Sequence, residues 1–194
     1  MIVMTNSGHY GRTHRVNRMP NSTQREKIRW EIKNVIDLGA PSVQNRYLAA
    51  HVARLLASLR QWTGRDLAQP ALSPEEQARE VFHAPFVLLS HNTAPDPILN
   101  YANQTALALF DLSWEELTAM PSRLTAEAPA REDRARLLAE VSSRGFIDDY
   151  CGIRIARNGR RFLIERATVW NLIDENGAPY GQAATFSEWR FMDG

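Results

Sequence analysis

The sequence predicts an α+β fold: a five-stranded antiparallel sheet, short helices on one face of it, and a helical extension at the N-terminus. Three observations carry this. Between Asp96 and Phe110 the apolar pattern changes period. Ile98, Leu99 and Tyr101 suit a short strand, whereas Ala102, Ala106, Leu109 and Phe110 fall on one helical stripe. Ser113-Trp114-Glu115-Glu116 then spells a capping box, so another short helix follows at once. Finally, Asn158-Gly159 is a tight hairpin signal and Asp174 to Gly177 a second turn, which cuts the end of the chain into an antiparallel meander. Helices and antiparallel strands that keep to separate runs indicate α+β.

In chain order, residues 1–41 read as a poorly ordered tail. Met1 to Asn21 carries Arg12, Arg15 and Arg18 with few apolar residues, and it lacks the aromatics and density of a nucleic-acid-binding arm. Arg25 to Asp37 allows a weak helix that Gly39-Ala40-Pro41 would stop. Residues 42–72 form an amphipathic helix and a linker. Ser42 is placed to cap it, Leu48, Val52, Leu55, Leu59 and Trp62 follow a 4-3-4-3 spacing, and Gly64 sits where a left-handed terminus is needed. That stripe either covers the chain's own sheet or pairs with a second subunit, because a narrow 4-3 stripe is what a coiled-coil seam uses. His51 on this helix is read as a surface or boundary residue.

Residues 73–194 make the main domain. Ser73-Pro74-Glu75-Glu76 starts a helix with apolar positions Ala78, Val81 and Phe82. Phe86 to Ser90 reads as a buried strand, followed by a turn around His91, Asn92 and Asp96. Pro97 opens the next strand, where a missing N–H does no harm. Asn100 or Asn103 is the candidate cap of the helix that follows. After the helix at Ser113 comes one from Arg131 to Ser143, with Leu137, Leu138 and Val141 buried, Glu132 and Asp133 at its positive end, and Gly145 as its stop. The meander is Asp148 to Ala156, Arg160 to Leu172 and Tyr180 to Trp189.

Composition narrows the function classes. The chain has 194 residues, 44% hydrophobic and 23% charged, enough for a real core. A net charge of +1 draws neither nucleic acid nor acidic lipid. The one cysteine, Cys151, excludes an internal disulfide and fits a cytoplasmic location. No apolar run reaches the roughly 18 residues of a membrane span.

The phrase Ile98-Leu99-Asn100-Tyr101-Ala102-Asn103-Gln104-Thr105-Ala106-Leu107, with Trp114-Glu115-Glu116-Leu117 after it, resembles the core of a PAS domain. So do Asn158-Gly159-Arg160-Arg161-Phe162 and Gly181-Gln182-Ala183-Ala184-Thr185-Phe186. More narrowly, the pattern from about 75 to 189 is similar to the MEKHLA family, a PAS-like domain found alone in bacteria and at the C-terminus of plant class III homeodomain–leucine-zipper factors. Its residues here include Phe86 to His91, Pro121-Ser122-Arg123, Gly145 to Tyr150 and Val169-Trp170-Asn171-Leu172. The resemblance implies a five-stranded sheet cupping short helices and a sensory or interaction role. It carries over no catalytic residues, and without a homeodomain and zipper it carries over no DNA binding.

PAS-like domains often hold a ligand between sheet and helices, in a pocket that is mostly apolar with a few polar groups. The polar candidates are Asn100, Asn103, Tyr150, Cys151 and Asn171; the competing reading is that they cap helices and satisfy backbone groups. A flavin photosensor would resemble Asn-Cys-Arg-Phe on a helix, and Asn158-Gly159-Arg160-Arg161-Phe162 has no cysteine and lies on a hairpin. A haem sensor would present a histidine near 131 to 143, and no histidine follows His91. No cofactor is therefore named. Cys151 in a strand reads as a small buried hydrophobe, with Arg154 and Arg161 as its candidate neighbours. Asp148 and Asp149, adjacent in a strand, point to opposite faces and share no cleft. Glu132 and Asp133 suit a helix start, and His91 with Asp96 makes no metal site alone. The resulting expectation is a non-catalytic sensory or protein-interaction module, dimeric through helix 42–64 or the sheet face. A small-molecule-binding protein is the alternative, and an enzyme centred on Cys151 or on His91–Asp96 the third reading.

Overall fold

A computed structural model describes residues 39–127 and 131–192. The tail of residues 1–38, the weak helix from Arg25 to Asp37, and the side chains of Glu132, Asp133 and Leu138 lie outside the described residues. The elements are α1 (Ala49–Thr63), α2 (Pro74–Phe82), β1 (Val87–His91), β2 (Leu99–Ala102), α3 (Gln104–Phe110), α4 (Trp114–Thr118), a 3₁₀ turn Ser122–Thr125, α5 (Arg131–Arg144), β3 (Phe146–Ile155), β4 (Arg161–Ile173), β5 (Pro179–Phe186) and β6 (Glu188–Phe191). The sheet is antiparallel, in the order β2-β1-β5-β4-β3, with β6 also on β4.

Local chemistry sets most of these boundaries. Both capping boxes form, Ser73 with Glu76 before α2 and Ser113 with Glu116 before α4. Hydrogen bonds from the Ser73 hydroxyl and then its backbone N–H hold the Glu76 carboxyl below the usual carboxylate range. Ser42 does not cap α1. Its N–H donates to Asn45 Oδ1 at 2.8 Å, and Asn45 Nδ2 donates to the Ala40 carbonyl at 2.8 Å. A local side-chain turn thus takes the backbone groups a helix would have used. Arg46, Tyr47 and Leu48 follow with φ of 54°, 52° and 56°, and α1 starts only at Ala49.

The last strand breaks where a single run from Tyr180 to Trp189 was the expectation. Arg166 of β4 has φ 51°, a left-handed bulge that re-aims the strand. On one side of it, Thr168 to Ile173 pair with β5; on the other, Phe162 to Glu165 pair with a sixth strand, β6. Arg166 then forms an ion pair with Glu188.

Both faces of the sheet are covered. On the outer face, Leu48, Val52, Leu55 and Leu59 pack with Ala78 and Val81 of α2 against Leu88, Tyr101, Trp170, Leu172 and Tyr180. Leu48, Val52, Leu55 and Leu59 are 0–3% exposed, and Trp62, the last residue of the stripe, is partly buried against the same core. It meets the chain's own sheet, so the seam considered for a second copy is already occupied. On the inner face, Ala106, Leu109, Phe110 and Leu117 of α3 and α4 pack on Val87, Leu99, Phe162, Ile164 and Phe186.

His51 belongs to the outer core and is 1% exposed, not a surface or boundary residue. Ser90 Oγ donates to Asn100 Oδ1 at 2.7 Å, so the hydroxyl is left to accept from His51 Nε2 at 3.1 Å. His51 Nδ1 then faces the Tyr180 hydroxyl at 3.4 Å as an acceptor. This chain of donors requires a neutral imidazole with its proton on Nε2. Burial, helped by the Arg54 charge, pushes its pKa down from 6.5 to about 3. The folded pKa lies below the unfolded one, so as pH falls below about 6.5 the unfolded chain takes up a proton that the folded chain refuses. Unfolding free energy is therefore expected to be flat above neutral pH and to drop by about 2 kcal/mol between about pH 7 and about pH 5. Urea titrations at the two pH values check this, and His51→Gln should remove most of the difference.

Candidate functional site

A cavity of about 50 Å³ lies on the inner face, between the sheet and the helices. Leu99, Ile164, Val169 and Phe186 form its apolar walls, with Leu137 of α5 above them. Polar side chains reach it from His91, Thr125, Tyr150, Arg154 and Gln182. Strand alternation explains the set: residues two apart on one strand share a face, so Tyr150, Gly152 and Arg154 of β3 all turn inward beside Ala167, Ile164 and Phe162 of β4.

Gly152 is needed at the centre of that trio. A Cβ there would lie 2.2 Å from the Tyr150 hydroxyl. Its absence lets the Tyr150 ring lie along the strand and bring its hydroxyl within 3.1 Å of Arg154 Nη2. The guanidinium stands 5.3 Å from the centre of the same ring, a cation–π arrangement. Arg154 is only 7% exposed, although it is an edge-strand arginine.

The structure places the other sequence candidates elsewhere. Asn103 caps α3 and is fully spent: Oδ1 accepts from Ala106 N–H at 3.1 Å and Leu88 N–H at 3.0 Å, while Nδ2 donates to the Val81 and Phe86 carbonyls at 3.2 and 2.7 Å. Asn100 is the extra residue of a bulge, since Ser90 pairs with Tyr101 but His91 with Leu99, and its side chain lies with Ser90 on the outer face. Asn171 Nδ2 donates to the Val141 carbonyl at 2.9 Å and its Oδ1 accepts from Gln182 at 3.0 Å, which ties the end of α5 to the sheet.

Cys151 is exposed rather than buried. Asp149 has φ 58° and interrupts the β3–β4 register before Tyr150, and with Tyr150 turned inward Cys151 takes the outward position on an edge strand. Asp148 accepts hydrogen bonds from Thr168 Oγ1 and Arg65, and both Asp148 and Asp149 are exposed. Asp96 pairs with Arg123 at 3.1 Å, while His91 Nδ1 lies 2.9 Å from the Asn92 carbonyl. Among the described residues, no group of three His, Cys, Asp or Glu side chains converges on a metal-sized site. No described helix is long and apolar enough to cross a membrane.

Sequence reasoning named Tyr150 but passed over Gly152 and Arg154 as its partners. The available signal was the spacing Tyr150-x-Gly152-x-Arg154, which puts an aromatic, a gap and a cation on one strand face.

The sequence profile of the MEKHLA domain matches residues 49–191. This chain belongs to the MEKHLA family. The match begins at the first residue of α1 and ends with β6. The MEKHLA chain is 26% identical over 103 residues to the homeobox-leucine zipper protein ATHB-9 of Arabidopsis thaliana, covering 53% of this chain and 12% of that protein. It is 22% identical over 121 residues to the homeobox-leucine zipper protein HOX29 of Oryza sativa subsp. indica, covering 62% and 14%. The chain thus spans about an eighth of the length of these relatives. Among solved structures, the PAS domain of a Colwellia psychrerythraea protein superimposes with a TM-score of 0.52 at 14% identity, over 61% of this chain and 95% of that one. The MEKHLA fold here is therefore PAS-like.

Proposed function

We propose that this MEKHLA domain is a non-catalytic sensory module: a small molecule occupies the inner-face cavity, and a protein partner reads the occupied state. The observation that supports this is a partly open space of about 50 Å³ at the sheet–helix junction, with apolar walls and convergent polar side chains. Such a space suits a ligand of few atoms, since one water needs roughly 10–15 Å³ by the same measure. Of the side chains named from sequence, Tyr150 is the one assigned to ligand contact; Asn171 acts at one remove, by fixing α5 over the cavity. We place the protein in the cytoplasm on the strength of its single unpaired thiol.

Native mass spectrometry of freshly purified full-length protein tests the reading. The expected result is an added small mass that gentle collisional activation removes, together with a thermal shift on adding the released compound. A bare mass, with no thermal shift across a library of small metabolites, would remove it.

A further inference from the structure

We propose that the cavity is an anion site, taking a short aliphatic carboxylate with its charged end on Arg154 and Tyr150. This rests on the small-molecule reading above and deepens it. Arg154 is 7% exposed, and among the described residues its partners are the Ile153 carbonyl at 2.8 Å and the Tyr150 hydroxyl at 3.1 Å. Both are neutral. A guanidinium does not lose its proton in a protein, so the charge persists. Burying a charge without an opposite one is costly, and proteins rarely keep such a residue unless something pairs with it. The described arginines that do have ion pairs are all more exposed at the side chain, from 24% for Arg54 with Glu175 to 74% for Arg190 with Glu165.

The geometry suits a carboxylate. Two of the five guanidinium N–H groups are engaged, and the planar fork of the remainder matches two carboxylate oxygens. The Tyr150 hydroxyl is held beside the fork by the gap at Gly152. Beyond them the walls are Leu99, Ile164, Val169 and Phe186, which would take an alkyl tail. The volume of about 50 Å³ sets the size: a carboxylate with a tail of very few carbons.

Titration of the full chain with propanoate and with propanamide, followed by ligand-observed NMR and thermal shift, tests the proposal. The two probes share size and differ in charge. Propanoate is expected to saturate and to bind about tenfold or more tightly than propanamide, the range of a charge-assisted hydrogen-bonded pair. Arg154→Met should bind both compounds equally weakly. It should also melt higher than the ligand-free parent, because it removes the uncompensated charge. Tyr150→Phe should weaken propanoate a few-fold without changing propanamide, and so serves if Arg154→Met fails to fold. Equal binding of the two probes would overturn the anion site and leave a neutral pocket standing. Binding of neither, with a bare native mass, would remove both readings.

Discussion

Replacing Asn103 with alanine is expected to lower the unfolding free energy by about 3–5 kcal/mol in urea titrations, the largest loss from any polar side chain described above. The side chain joins four segments. It accepts from the Leu88 N–H of β1 and the Ala106 N–H of α3, and donates to carbonyls at the end of α2 and just before β1. Asn103 itself is 0% exposed. Alanine leaves the Leu88 and Ala106 N–H groups and the Phe86 carbonyl without that partner in a site where water has poor access, while the Val81 carbonyl keeps the Ala84 N–H. Each such orphan costs about 1–3 kcal/mol, partly relieved by relaxation. Asn100→Ala is the matched control. That residue is equally buried but shares only the Ser90 hydroxyl bond, so its loss should be about 1 kcal/mol. A change at Asn103 no larger than at Asn100 would contradict the structural role given to it.

Gly181→Ala should cost about 3 kcal/mol, through backbone rather than side-chain chemistry. A Cβ at Gly181 would stand 2.1 Å from the His91 carbonyl oxygen. No rotamer relieves that contact, because the oxygen belongs to the neighbouring strand. Strand β5 must move away from β1 where His91 pairs with Gln182, and both of those residues line the cavity. Gly159→Ala and Gly177→Ala make good comparators. Both have open space around the missing Cβ, with φ of 83° and 76°, and should lose only about 1 kcal/mol from the left-handed backbone. Thermal melts of the three variants would show Gly181→Ala well below the other two; a similar Tm for all would mean the strands tolerate the shift.

The parts legible in the sequence are those fixed by local rules. The capping boxes at Ser73 and Ser113 and the Asn158-Gly159 hairpin each depend on a few neighbouring residues and lie where the sequence puts them, while the change from strand to helix falls at the Asn103 cap, with Ala102 still the last residue of β2. What was not legible depends on distant strands. The bulges at Asp149 and Arg166 break the alternation that assigns faces, so Cys151 turned outward and the end of the chain became a sixth strand. His51 illustrates a recoverable miss. It lies three residues after Leu48 and four before Leu55, on the buried stripe, but its polarity suggested the surface. Arg154 was considered only as a neighbour of Cys151, and its inward face follows from sharing one side of β3 with Tyr150 and Gly152. For His51 the chemistry of the residue type outweighed its position, and position decided burial.

Methyl-labelled NMR of the full chain during propanoate titration would locate the ligand by face. Shift changes are expected at Leu99, Leu137, Ile164 and Val169 on the inner face, with Leu55, Leu88 and Leu172 on the outer face nearly still. Saturable changes centred on the outer-face methyls, or none on the inner face while the ligand is bound, would contradict a sensory cavity between the sheet and its short helices.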